Sequence, residues 1–209
     1  NKFDTAVLLP NSFRWGLVAR LAKIPRRVGY DRDGRGGLLT DRLVPRRHHS
    51  GFVPVPTINY YLGIARYLGA KSPSSDMQLF TRAEQDKLVN QLLSKAGVNH
   101  KPLVLINPGA SYGTAKRWYP DRFAAVADRC RRELGATVAI NGAPVERKIL
   151  AKVIAAAKLP ILDLNQLGFN LTLLKSLVKR TQLMVTNDTG PRHVAAAFAV
   201  PVVTLFGPT

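Results

Sequence analysis

The chain has 209 residues, 46% of them hydrophobic, and 31 Lys plus Arg against 13 Asp plus Glu give it a formal charge of +18. That size supports a packed core in one large or two small domains, no apolar run reaches the roughly 20 residues of a membrane span, and a lone Cys130 excludes an intramolecular disulfide framework. The four histidines (His48, His49, His100, His193) lack metal-ligand spacing, and the charge either is a solvated basic face or implies acidic partners: nucleic acid, an anionic membrane surface or phosphorylated substrates.

In chain order, Ala6–Leu9 reads as a short strand, 13–22 as a helix and 27–30 as a second strand after Pro25. Residues 31–37 are a glycine-rich loop, 38–44 are ambiguous, and the cluster Arg46-Arg47-His48-His49 among Pro45, Pro54 and Pro56 reads as an exposed connection. Ten basic residues crowd positions 14–47, against Asp31, Asp33 and Asp41. Residues 59–68 form an amphipathic helix. Thr81-Arg82-Ala83-Glu84 has the form of a capping box opening a helix to Ala96, with Gly97 as its stop. A domain boundary is expected there, between residues 1–97 and 98–209.

From Leu103 onward strands and helices alternate. Strands are expected at 103–106, 137–140, 161–164, 183–185 and 202–206, and helices at 121–134, 145–157, 171–178 and 194–199. Apolar strands separated by helices indicate a parallel sheet covered on both faces, a doubly wound α/β domain whose ligands bind at the carboxyl ends of the strands. The first part looks like a portion of a similar unit. The chain opens without Met and stops just after a strand, so it is expected to be an internal fragment.

Three strand-end loops should converge on one rim. Asn107 to Trp118 contains Gly109 and Gly113, hydroxyls at Ser111 and Thr114, and the cation pair Lys116-Arg117. It suits phosphate but lacks the Gly-Lys-Ser/Thr ending of a Walker loop. In Asn141 to Glu146, Glu146 either accepts from ribose hydroxyls or simply stabilises a helix N-terminus. In Asn187-Asp188-Thr189-Gly190-Pro191-Arg192-His193, Pro191 near a helix start brings backbone amides and the positive end of the helix dipole to one anion-binding spot. His193, one turn beyond Thr189, faces the same anion or is a core histidine. Cys130 sits in a helical pattern and reads as inert packing.

These motifs, closing with Phe206-Gly207-Pro208-Thr209, resemble glycosyltransferase family 9, and Ser12-Phe13-Arg14 with Arg27-Val28-Gly29-Tyr30-Asp31 extend the resemblance to the amino-terminal part. The resemblance implies a GT-B fold, two Rossmann-like domains that are both incomplete in this fragment. It implies metal-independent, inverting transfer of heptose from an ADP-heptose donor to the heptosyl inner core of lipopolysaccharide at the cytoplasmic, anionic face of the inner membrane, without cofactor or nucleic acid. Carried over residue by residue, Ser111, Gly113, Lys116, Glu146, Asp188, Thr189, Gly190 and His193 hold the nucleotide-sugar, Lys116 and Asp188 being catalytic. Arg14, Arg26, Arg27, Arg32 and Arg35 are expected to contact the acceptor. The family's Leu-x-Gly-x-Thr-Ser-Leu stretch appears here altered, as residues 166–173, and the Gly-Asp loop that supplies the general base is expected to lie outside the chain. Three readings stand beside this one: another family 9 sugar transfer, donor binding without turnover, and a basic nucleic-acid-binding module.

Overall fold

The computed structural model describes residues 2–49, 51–98, 101–110 and 114–207, and the chain divides into two compact units, 1–76 and 77–209. The first unit holds β1 (Thr5–Leu8), α1 (Phe13–Leu21), β2 (Arg26–Tyr30), β3 (Asp41–Leu43), the two-residue strands β4 (Arg47–His48) and β5 (Gly51–Phe52), and α2 (Thr57–Tyr67). Strands β1, β2 and β3 make a parallel sheet in that order, with Val28 of β2 fully buried, and β4 pairs antiparallel with β5. The ambiguous segment 38–44 thus supplies a strand, and the expected exposed connection forms a small hairpin.

Two arginines in this unit serve as internal struts. Arg35 is 0% exposed, and its guanidinium donates to the carbonyls of Tyr30 (2.9 Å), Leu8 (3.3 Å) and Pro10 and to Asn11 Oδ1 (3.3 Å). It therefore closes the carboxyl ends of β1 and β2, where water would otherwise satisfy the carbonyls. Arg27 does the same at shorter range, bonding the carbonyls of Leu38 (2.7 Å) and Ile24 (2.5 Å).

The second unit begins with α3 (Ala83–Lys95) and continues β6 (Leu103–Asn107), α4 (Pro120–Leu134), β7 (Thr137–Ile140), α5 (Arg147–Ala156), β8 (Leu162–Asp163), α6 (Leu174–Arg180), β9 (Leu183–Asn187), α7 (Gly190–Ala197) and β10 (Val202–Leu205). Its sheet is parallel throughout, in the order β10-β9-β6-β7-β8. Every residue of β6 is buried, as a central strand covered on both faces requires. One face packs Leu103, Leu105, Ala139 and Met184 with Leu177 and Ala195; the other packs Val104, Ile106, Val138 and Ile140 with Phe123, Ala127 and Val153. Cys130 is buried in this second layer, and burial pushes its thiol up, which suits inert packing.

The division at 76/77, rather than after residue 97, has a plain cause. Val89 and Leu93 of α3, together with Val98, enter the first of these two core layers. Asp86 reinforces the attachment by accepting from Lys179 Nζ of α6 at 2.9 Å. The expected capping box is not formed. Arg82 occupies the cap without a side-chain bond, and Thr81 Oγ1 reaches Asp86 instead, at 2.9 Å. The helix expected from 171 starts at Leu174, because Asn170 first closes a turn with its side-chain oxygen on the Leu173 amide.

Replacing Arg35 by Met orphans three carbonyls at a cost of at least ~2 kcal/mol, so amide exchange in β1 and β2 should quicken at least ~20-fold; unchanged protection there would refute the strut. The Ser176 hydroxyl and Lys179 hold the Asp86 carboxyl below its ordinary range. A depressed carboxylate pKa contributes stability above its unfolded value, near 4, and loses it as pH falls through the folded value. Asp86→Asn should therefore cost up to ~1 kcal/mol at pH 7, and a gap from wild type that persists at pH 2 in thermal unfolding would exclude this origin.

Candidate functional site

The order of the second sheet places its topological switch point between β6 and β9, since the chain leaves β6 toward β7 and β8 and then returns to β9 on the other side. At such a point the two following loops diverge and leave a crevice at the carboxyl ends of the strands. Two of the three expected loops flank it, and the third, after β7, adjoins β6.

Asn187, the last residue of β9, is fully buried at the switch point. Its Nδ2 donates to the carbonyls of Pro108 (2.8 Å) and Gly109 (3.3 Å), and its Oδ1 accepts from the Trp118 amide at 3.1 Å. One amide side chain thus holds both ends of the loop that follows β6. Neighbouring Thr186 adds a bond to the Asn107 carbonyl at 3.1 Å. Arg117 closes the loop on itself through the Ala110 carbonyl (3.1 Å), and the Trp118 ring packs edge-on against Phe123 at 5.3 Å.

Lys116 rises from this anchored loop. Lys116 ends a short 3-10 turn, and its Nζ lies 3.4 Å from Asp188 Oδ2, each side chain about one-quarter exposed. The other Asp188 oxygen lies 2.9 Å from Arg192 Nε, one helical turn further on. Two cations therefore share one partly exposed carboxylate beside the switch point. Thr189 is the N-cap of α7 in extended conformation, its hydroxyl turned to Thr186 and the Asn187 carbonyl rather than over the helix end. With Gly190 exposed and no acid in the first turn, the α7 terminus is open to an anion.

Glu146 performs its helix-end role: Oε2 accepts from the Ala143 amide at 2.8 Å. Its carboxyl also lies against Gly109, where a Cβ would overlap it, so the loops after β6 and β7 touch. No donor among the described residues reaches Oε1, which leaves an acceptor for a hydroxyl. His193 is exposed, which rules out the core alternative. Ser111 and Gly113 lie outside the described residues.

The five arginines expected to contact the acceptor separate sharply. Arg27 and Arg35 are corrected to the internal roles described above, because their donors are spent on main-chain carbonyls. Arg26 is bonded to Asp41 through Nε (3.2 Å) and Nη2 (3.0 Å). Arg14 is exposed on α1, and Arg32 lines a cavity.

A match to glycosyltransferase family 9 (heptosyltransferase) extends over residues 1–209. The chain belongs to this family. It is 29% identical over 227 residues to lipopolysaccharide heptosyltransferase 2 of Salmonella typhimurium, covering all of this chain and 61% of that relative. Among solved structures, the family 9 glycosyl transferase of Veillonella parvula superposes with a TM-score of 0.81 at 26% identity, and the Escherichia coli ADP-heptose lps heptosyltransferase II with 0.76 at 27%. Each superposition spans the whole of this chain and 58% and 64% of the respective neighbour. The family 9 chain thus spans about three fifths of these relatives, and its two α/β units are of the GT-B type.

Asn187, Arg192 and Gly207 were not among the expected site residues. Arg192, four residues beyond Asp188, lies in the first turn of the helix that Asp188 precedes, a spacing visible in the sequence. Gly207 carries no such signal, since its importance lies in a backbone contact: a Cβ there would overlap the Ala115 carbonyl beside Lys116. Substituting Asn187 by Leu leaves two carbonyls and one amide unpaired, costing ~2–4 kcal/mol. The Trp118 amide should then exchange ~100-fold faster, whereas native protection would show that the bridge is dispensable.

Proposed function

We propose that this chain serves transfer of heptose from ADP-heptose to the heptosyl inner core of lipopolysaccharide, without a metal and with inversion at the anomeric carbon. The observation that carries the reading is the convergence of Lys116, Asp188 and the open α7 terminus at the switch point of a parallel sheet, in a member of glycosyltransferase family 9. Relatives named as lipopolysaccharide heptosyltransferase 2 supply the sugar and the acceptor.

In this reading the acceptor hydroxyl displaces the donor diphosphate, on which negative charge grows as the glycosidic bond breaks. Lys116 and the first-turn amides of α7 meet that charge where it develops, in a setting built before the donor arrives. Asp188 holds the ammonium at the mouth of the crevice. Thr189, Gly190 and His193 surround the diphosphate-sugar, and Glu146 Oε1 accepts from a ribose hydroxyl; Ser111 and Gly113 complete the donor set. Arg14 and Arg32 remain as acceptor contacts, and the exposed basic residues of the first unit, including Arg20 and Arg42, favour an anionic surface at the cytoplasmic face of the inner membrane. Among the described residues no helix is long and apolar enough to cross a membrane. Nucleic acid is not a partner in this reading.

Removing one such donor to a developing charge costs about 10²–10³ in rate. Lys116→Ala in the full-length protein should therefore lose that much kcat with ADP-heptose while the fold, judged by circular dichroism, is kept. Wild-type turnover in the variant would refute the assignment. Heat from ADP and ADP-heptose without any transfer would instead identify a donor-binding protein, and salt-sensitive binding of a random oligonucleotide, indifferent to ADP-heptose, a nucleic-acid module.

A further inference from the structure

Arg27, Arg35 and Arg117 are held in place by their N–H groups, which donate to main-chain carbonyls. Arg192 is held differently. Its Nε lies 2.9 Å from Asp188 Oδ1, but the N–H is not aligned on that oxygen, and Nε is buried with no hydrogen-bond partner among the described residues. Its guanidinium carbon lies 5.4 Å from the centroid of the Phe206 ring, within cation–π reach, so one flat face is supported at no expense of N–H donors. The residue after Phe206, Gly207, lies against the Ala115 carbonyl, which brings this segment beside Lys116.

Helix stability does not explain a cation at this position. Arg192 stands in the first turn of α7, where the dipole already places about half a positive charge and acidic side chains are the stabilising ones. Lys116 and Arg192 bring two full charges to one carboxylate, all three side chains being partly exposed. With the helix terminus, the spot keeps a surplus of roughly one and a half positive charges. A diphosphate matches that surplus, whereas a neutral ligand leaves it uncompensated.

The sheet order sets the direction in which a nucleotide lies. Glu146 follows β7 on one side of β6, Lys116 follows β6 itself, and Arg192 and Phe206 follow β9 and β10 on the other side. A nucleotide whose ribose meets Glu146 therefore passes Lys116 first and reaches Arg192 with the phosphate farther from the ribose. We propose that Arg192 is a catalytic residue that binds this farther phosphate, the one that carries the sugar, through N–H groups that neither Asp188 nor Phe206 engages. The identity of the ligand rests on the glycosyl-transfer reading above. As the acceptor oxygen bonds the anomeric carbon, the bond from that carbon to the phosphate oxygen breaks and its electron pair stays on the phosphate. Arg192 meets that charge and transfers no proton, the acceptor's proton passing to a separate base.

The test titrates the full chain with ADP, AMP and inorganic pyrophosphate at fixed ionic strength, followed by ligand-observed NMR. Arg192→Met should weaken ADP about tenfold to a hundredfold, the range of a hydrogen bond to a charged group, and leave AMP within about twofold of wild type. Arg192→Lys, which keeps the charge but not the planar fork, should fall between the two. The same loss of ADP should appear when Arg192→Met is made on Asp188→Asn, since a phosphate contact does not pass through the carboxylate. A loss that vanishes on Asp188→Asn would overturn the inference, because Arg192 would then act only by holding Asp188, and equal losses of ADP and AMP would overturn it too. ADP binding that ignores Arg192→Met removes the inference and leaves the donor reading in place. Arg192-dependent binding of pyrophosphate by a protein that ignores both nucleotides keeps the phosphate contact and removes the adenosine donor, and failure of all three ligands removes both.

Discussion

The second unit depends on a buried amide. Parallel strands that diverge at a switch point leave loops with nothing between them, and a loop as long as the one carrying Lys116 needs a fixed base. Asn187 supplies it by saturating three main-chain groups from two ends of one loop. An apolar residue of similar size would leave those groups unpaired, and an Asp would repel the two carbonyls. The base of the loop is therefore set by hydrogen-bond valence, and the position of Trp118 follows from it.

Around that base the chain uses close main-chain approach as a second positioning device. Gly109 admits the Glu146 carboxyl, and Gly207 lies on the Ala115 carbonyl. Neither glycine is in a left-handed conformation. What they provide is absence of bulk, and this lets the loops after β6, β7 and β10 share one small volume. The elements behind the loops are conventional: two apolar layers on one sheet, which fix the direction of every strand end.

Much of this was legible beforehand where periodicity and burial coincide. Runs such as Leu103-Val104-Leu105-Ile106 and Thr137-Val138-Ala139-Ile140 can be little else than buried strands, and their alternation with helices fixes a parallel sheet. That Asp188 and Lys116 come together was legible because both follow strand ends of one parallel sheet. The rest required coordinates. Arg27 and Arg35 look like surface charge in a sequence of +18, and only the geometry shows guanidiniums spent on carbonyls. The β4–β5 hairpin is too polar and too short to leave a period-2 pattern. The unit boundary hid because a helix amphipathic in sequence does not say which core it serves, and Val89 and Leu93 answer that only once packed.

The shared carboxylate bears on how quickly a donor site of the proposed kind would empty. Asp188 pairs with both Lys116 and Arg192, so in the proposed reaction an arriving diphosphate would gain only the attraction left over after that competition. On that reading, ground-state affinity for substrate and product alike would be modest, and the cations would be most fully used when charge on the leaving group peaks. In the proposed reaction the spent nucleotide is handed back to solvent as the carboxylate reclaims its two partners, a built-in aid to turnover that a pair of unaccompanied cations would lack.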